Sequence, residues 1–224
     1  EPIKPIIADL GAGALGLLAA TSMLWSSFGT GPWVPLFALT TYLIMAGIIL
    51  AGAPRHPEGL GLANRITLWR GALVALLAGT LADPTLLARH AVPLAALALL
   101  ALVLDGMDGW VARRTATQSD FGARFDMEID AFLILVLCLA LLVLGKVGSW
   151  VLAIGGMRYA FVVAGLTFSW LTAALPESRR RKAVCVWQVT ALMIGLLPAV
   201  GATATTWLAG SALLGLAGSF IFDI

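Results

Sequence analysis

Apolar runs of about 18 residues or more recur along the whole chain, and that feature leaves few folds open. A helix rising about 1.5 Å per residue needs such a run to cross a hydrocarbon core of about 30 Å, where backbone polar groups must satisfy one another. The runs fall at about 6–27, 33–52, 65–82, 87–112, 120–145, 147–174, 181–199 and 203–222. They predict an all-α polytopic membrane protein of about eight transmembrane helices, with both ends cytoplasmic. Composition agrees: 60% of the 224 residues are hydrophobic and 12% charged, far from the usual soluble domain. A formal charge of +2 is too small to point to nucleic acid as a partner.

Punctuation orders the runs. Gly29-Thr30-Gly31-Pro32 and Ala53-Pro54-Arg55-His56-Pro57 are the clearest breaks, because Gly and Pro clusters do not continue a helix cheaply. The second predicts a boundary between an accessory helix pair, residues 1–54, and a six-helix core, residues 55–224. Arg55, Arg65, Arg70, Arg113, Arg114, Arg124 and the run Arg179 to Lys182 sit at alternate span boundaries, which places those boundaries in the cytoplasm, with Arg89 and Lys146 as exceptions. Trp25, Trp33, Trp150 and Trp207 lie near the opposite ends, as interfacial rings do. The first run reads as a retained helix rather than a cleaved leader. Cys138 and Cys185, each inside an apolar run, read as buried fillers.

The charged residues inside the spans carry the chemistry. Six of the 12 acidic residues, Asp105, Asp108, Asp120, Asp126, Glu128 and Asp130, fall across the end of one span and the start of the next. A carboxylate near hydrocarbon is costly and persists mainly where it faces a polar cavity, pairs with a cation or binds an ion. Asp105 and Asp108 are three apart and Asp126 and Asp130 four apart, so each pair occupies one face of its helix and the two pairs can converge across a hairpin. Such a set of hard oxygen donors repels itself unless cations intervene, and it suits Mg²⁺ or Mn²⁺ rather than zinc. A solvated cytoplasmic loop balanced by Arg113, Arg114 and Arg124 accounts for Asp120 and Glu128. It leaves Gly106, Gly109 and Gly122, which weaken a helix unless something must approach closely, without a reason.

The string Asp105-x-x-Asp108-Gly109-x-x-Ala112-Arg113, followed after eight residues by Gly122-x-x-x-Asp126-x-x-x-Asp130, resembles the signature of the CDP-alcohol phosphotransferase family. The resemblance covers 26 residues, and the six-helix core fits the family's architecture. It implies that Asp105, Asp108, Asp126 and Asp130 ligate two divalent ions, Mg²⁺ or Mn²⁺, with Asp130 also the general base. It implies that Gly109, Ala112, Arg113, Ser119 and Gly122 contact the CDP moiety. Asn64-x-x-Thr67-x-x-Arg70 is similar to the family's pattern at the start of its first core helix, which places Asn64 and Thr67 in the nucleotide pocket. A homodimer is implied as well. The residues alone agree with this chemistry, since displacing CMP concentrates negative charge on phosphate oxygens and an alcohol benefits from a positioned base.

The reaction expected is transfer of a substituted phosphate group from a CDP-alcohol, foremost CDP-diacylglycerol, to a small polar alcohol, with CMP released at the cytoplasmic face of a bacterial inner membrane. The reverse arrangement, a soluble CDP-choline-type donor with a lipid acceptor, is the alternative. Arg158 lies well inside a span and is expected to reach into the polar cavity, and an Arg in this helix of the resembling family can bind an acceptor phosphate. Arg179, Arg180, Arg181 and Lys182 are candidates to funnel a phosphorylated acceptor, although topology alone also asks for a basic loop there. Two other classes compete. A divalent-cation transporter also uses intramembrane carboxylates but gains nothing from a nearby Arg113, and a lipid-binding scaffold would keep affinity without turnover.

Overall fold

The computed structural model describes residues 3–52, 59–115, 119–167 and 179–223. Among them the regular structure is helical: α1 (Lys4–Phe28), α2 (Trp33–Gly52), α3 (Gly61–Thr80), α4 (Pro84–Arg89), α5 (Ala91–Thr115), α6 (Asp120–Val143), α7 (Leu152–Thr167), α8 (Arg179–Leu196) and α9 (Ala202–Asp223), with one 3₁₀ turn at Ser149–Val151. The eight longer helices stand where the eight apolar runs were read. Four contain stretches long and apolar enough to cross a bilayer: α1, α2, residues 91–112 of α5 and residues 202–221 of α9. α3 and α6 are as long but interrupted by charged and polar side chains, which is where the chemistry lies.

Local chemistry explains several of the ends. α1 stops at Gly29, whose φ of 61° is the left-handed conformation a glycine adopts freely, and its N–H donates to Trp25 O at 2.9 Å. The second expected break, at 53–57, lies outside the described residues. The fourth run was read as one span from 87, and the structure divides it at His90. Pro93 has no N–H to continue the hydrogen-bond ladder to Arg89, so a new helix begins at Ala91. The short α4 before it is capped by Asp83, whose Oδ1 accepts from Thr85 N at 3.1 Å and Leu86 N at 3.0 Å. Trp25, Trp33, Trp150 and Trp207 are all exposed.

The chain divides into two compact units, the first running to Asp130 and the second starting at Ala131. In the first, α3 packs against α1, α2 and α5. Small residues allow the approach: a Cβ on Gly79 would stand 2.6 Å from Val34 O, and Gly16 lies under the Trp69 ring. The buried Tyr42 hydroxyl donates to Leu10 O at 2.7 Å, tying α2 to α1.

In the second unit α8 packs against α9, and Ser211 Oγ accepts from Trp187 Nε1 at 3.2 Å between them. Cys138 is buried, as expected, whereas Cys185 is only half-buried, and no disulfide joins the two. Lys146, an exception to the charge pattern, has a structural explanation. Its ammonium donates to Gly195 O at 2.8 Å, Leu197 O at 2.7 Å and Val200 O at 3.0 Å, capping the carbonyl-rich end of α8. Lys146→Met should therefore destabilise the protein by about 2 kcal/mol, the scale of a lost charged hydrogen bond with stranded carbonyls. A fall of about 4–8 °C in the thermal unfolding midpoint in detergent is the expected reading.

Candidate active site

Two helices of the first unit, α3 and α5, and the part of α6 that belongs to it supply the site. α3 presents Asn64, Thr67 and Arg70 at three-residue spacing, hence on one face. α5 contributes Asp105 and Asp108, and α6 contributes Asp126 and Asp130. The expected convergence of the two carboxylate pairs is present. Asp105, Asp108 and Asp126 each offer an oxygen within 4.8 Å of the others.

At the centre stands Arg70, fully buried. Its Nη1 lies 3.1 Å from Asp105 Oδ1, 2.9 Å from Asp108 Oδ2 and 2.7 Å from Asp126 Oδ1. Its Nη2 donates to Asp130 Oδ1 at 2.8 Å and to the Asp126 main-chain oxygen at 3.2 Å. One guanidinium thus touches all four aspartates. The Thr67 hydroxyl donates to Asp108 Oδ2 at 2.9 Å, fixing that carboxylate from α3 as well. Four carboxylates facing one guanidinium leave a strong excess of negative charge, in surroundings where Asp105 and Asp108 are almost wholly withdrawn from solvent.

Arg70 is what the sequence reading missed. It was grouped with basic residues at cytoplasmic boundaries, whereas it lies mid-helix on the face of Asn64 and Thr67. Its spacing from those two residues was the available signal, together with the rule that an ionisable side chain inside a span marks function. Packed carboxylates call for positive charge, and here a side chain supplies some of it.

The nucleotide-side residues are also assembled in part. Ser119 precedes α6 and its Oγ accepts from Gly122 N at 3.0 Å, an N-cap. Asn64 donates to Leu60 O at 2.8 Å, and its Oδ1 lies so near Gly122 that a Cβ there would stand 2.6 Å away. Asn64, Ser119 and Gly122 thus form one corner. Gly109 and Ala112 lie half-buried on α5, three residues apart. The Arg113 side chain lies outside the described residues. Asp120 is exposed and Glu128 half-buried, apart from the ion pairs that Arg70 makes with the four aspartates. Arg158 on α7 is half-buried, and Arg180 and Lys182 are exposed at the start of α8 with Arg181 half-buried beside them. These residues belong to the second unit, and the Arg179 side chain lies outside the described residues.

The site fits a hard divalent ion. Its donors are all carboxylate oxygens, the chemistry Mg²⁺ and Mn²⁺ prefer. Asp126 Oδ1 is buried and, among the described residues, takes part in no aligned hydrogen bond despite its closeness to Arg70.

A family model described as CDP-alcohol phosphatidyltransferase matches residues 60–217, which include every aspartate of the cluster and Arg70. No curated protein and no solved structure was found to match the chain.

Proposed function

Because the chain belongs to the CDP-alcohol phosphatidyltransferase family, and is thus a membrane-embedded transferase of substituted phosphate groups, we propose that its donor is CDP-diacylglycerol and its acceptor a small polar alcohol. The observation that carries this reading is the convergence of Asp105, Asp108, Asp126 and Asp130, whose charge Arg70 only partly offsets. The four aspartates would hold two divalent ions, Mg²⁺ or Mn²⁺. Bound there, the ions would supply Lewis-acid stabilisation of the charge that gathers on the pyrophosphate as CMP leaves.

The chain's own groups do the remainder. Asp130 accepts the proton of the attacking hydroxyl, and the guanidinium 2.8 Å from its Oδ1 holds it in place. Arg70 reaches Asp130 and the Asp126 main chain together, which fixes the base to its own helical turn. Asn64, Thr67, Gly109, Ala112, Arg113, Ser119 and Gly122 receive the CDP moiety. Small residues at 109, 112 and 122 leave room for it, and Arg113 supplies charge to phosphate. Arg158 and the Arg179 to Lys182 run are proposed to bind a phosphorylated acceptor. We also propose that residues 55–224 form the catalytic core with 1–54 accessory to it. The protein would be a homodimer in a bacterial inner membrane with the site open to the cytoplasm.

The match to a transferase family over residues 60–217, with the whole cluster inside it, argues against the transporter reading. Purified protein given CDP-diacylglycerol, Mn²⁺ and a panel of polar alcohols should release CMP, read by mass spectrometry, with at least one acceptor. Release only from CDP-choline with diacylglycerol would reverse donor and acceptor. Metal flux into vesicles with no nucleotide turnover would remove the transferase reading.

A further inference from the structure

The family match begins at residue 60, so α1 and α2 lie outside it. A single carboxylate on α1 nevertheless reaches the start of the helix that bears Asn64, Thr67 and Arg70. Asp9 Oδ2 accepts the N–H of Leu60 at 3.2 Å, and Asp9 Oδ1 lies 2.9 Å from Arg65 Nε at the start of the second turn of α3. A helix start leaves N–H groups unpaired and usually takes a cap from its own flanking side chain. Leu60, at the cap position of α3, has no side-chain oxygen to offer and makes no side-chain cap bond. The cap comes instead from a helix some fifty residues earlier in the chain.

The turn is built around that contact. Gly59 has a φ of 80°, and a Cβ on it would stand 2.8 Å from Asp9 Oδ2, so glycine is required there both for conformation and for space. Asp9 is held from its own side by α2, where the buried Tyr42 hydroxyl binds Leu10 O. Its side chain is 14% exposed, so the carboxylate is largely withdrawn from solvent and committed to these partners. Leu60 then relays the constraint, because its N–H is taken by Asp9 while its carbonyl accepts Asn64 Nδ2 at 2.8 Å. Asn64 in turn abuts Gly122 at the Ser119-capped start of α6.

We infer that Asp9 is a positioning residue for the nucleotide end of the site, a cap supplied by the accessory helix pair that sets Asn64 against Gly122. The role in catalysis rests on the transferase reading, while the capping contact stands apart from it. Without the Asp9 cap the first turn of α3 frays and Asn64 loses its anchor, whereas the aspartate cluster, one to two turns deeper, keeps its own ion pairs.

Full-length protein in nanodiscs would be compared as wild type, Asp9→Ala and Asp9→Asn. Asn keeps an oxygen for the Leu60 N–H but gives up the charge. For Asp9→Ala the KM for CDP-diacylglycerol should rise about 10-fold with kcat changed by less than about 3-fold, the scale of a lost cap. Amide exchange at residues 60–64 should speed up in the same variant. Asp9→Asn should recover most of both. An unchanged KM and unchanged exchange in Asp9→Ala would overturn the inference, as would equal losses of kcat in Ala and Asn without a change in KM. If wild type releases no CMP from any donor, the transferase reading fails by itself, and the exchange comparison alone decides the cap.

Discussion

Asp126→Asn should lower CMP release by about 10²–10³-fold, the range found when one preorganised electrostatic contact to a transition state is removed. The substitution keeps shape and removes one charge. Arg70 Nη1, 2.7 Å from Asp126 Oδ1, also reaches Asp105 and Asp108, so neutralising Asp126 strands no donor. Its main-chain oxygen, which Arg70 does bind, is untouched. The fold should therefore persist, with an unfolding midpoint in EDTA equal to or above that of wild type, because four mutually repelling carboxylates become three. The affinity for Mn²⁺, followed by electron paramagnetic resonance of the free ion, should fall in parallel with activity. Activity within about 3-fold of wild type, set against the range above, would remove Asp126 from the proposed ligand set.

Much of the fold was legible because its signals are local. Apolar length set the eight long helices, and Gly29 marked a break on conformational grounds that need no partner. The carboxylate pairs were legible for the same reason, since three- and four-residue spacings place side chains on one helix face whatever surrounds the helix. What escaped depends on which helices meet. Asp9 carries no local signal because its partners, the Leu60 N–H and Arg65, lie some fifty residues on. Arg70 reads in sequence as a topological charge because basic residues at span ends are common, and only the packing of α3 beside α5 turns it into the centre of the site. Lys146 is the converse, an apparent topological exception that caps a helix within its own unit. The split between α4 and α5 was within reach of the sequence, since Pro93 carries the reason, but a continuous apolar run masked it.

Arg70→Gln should be the most destabilising substitution in the cluster. Breaking a buried ion pair by deleting one partner costs about 3–5 kcal/mol, because the remaining charges lose their compensation, and here four carboxylates share the partner removed. At a few degrees per kcal/mol, the midpoint in EDTA should fall by roughly 10 °C. The sign of the metal effect separates this from an ordinary packing defect. A divalent cation can replace the missing positive charge, so Mn²⁺ should raise the midpoint of Arg70→Gln more than that of wild type, where the guanidinium already occupies part of the same field. Arg70→Lys should fall between them. It keeps the charge, yet one ammonium cannot place two nitrogens as the planar guanidinium does, with Nη1 among Asp105, Asp108 and Asp126 and Nη2 on Asp130. Lys is thus expected to restore stability more fully than turnover, because stability needs the charge whereas the reaction also needs Asp130 held to its turn. Equal midpoints for wild type and Arg70→Gln in EDTA would mean that the carboxylates are neutralised by something other than Arg70.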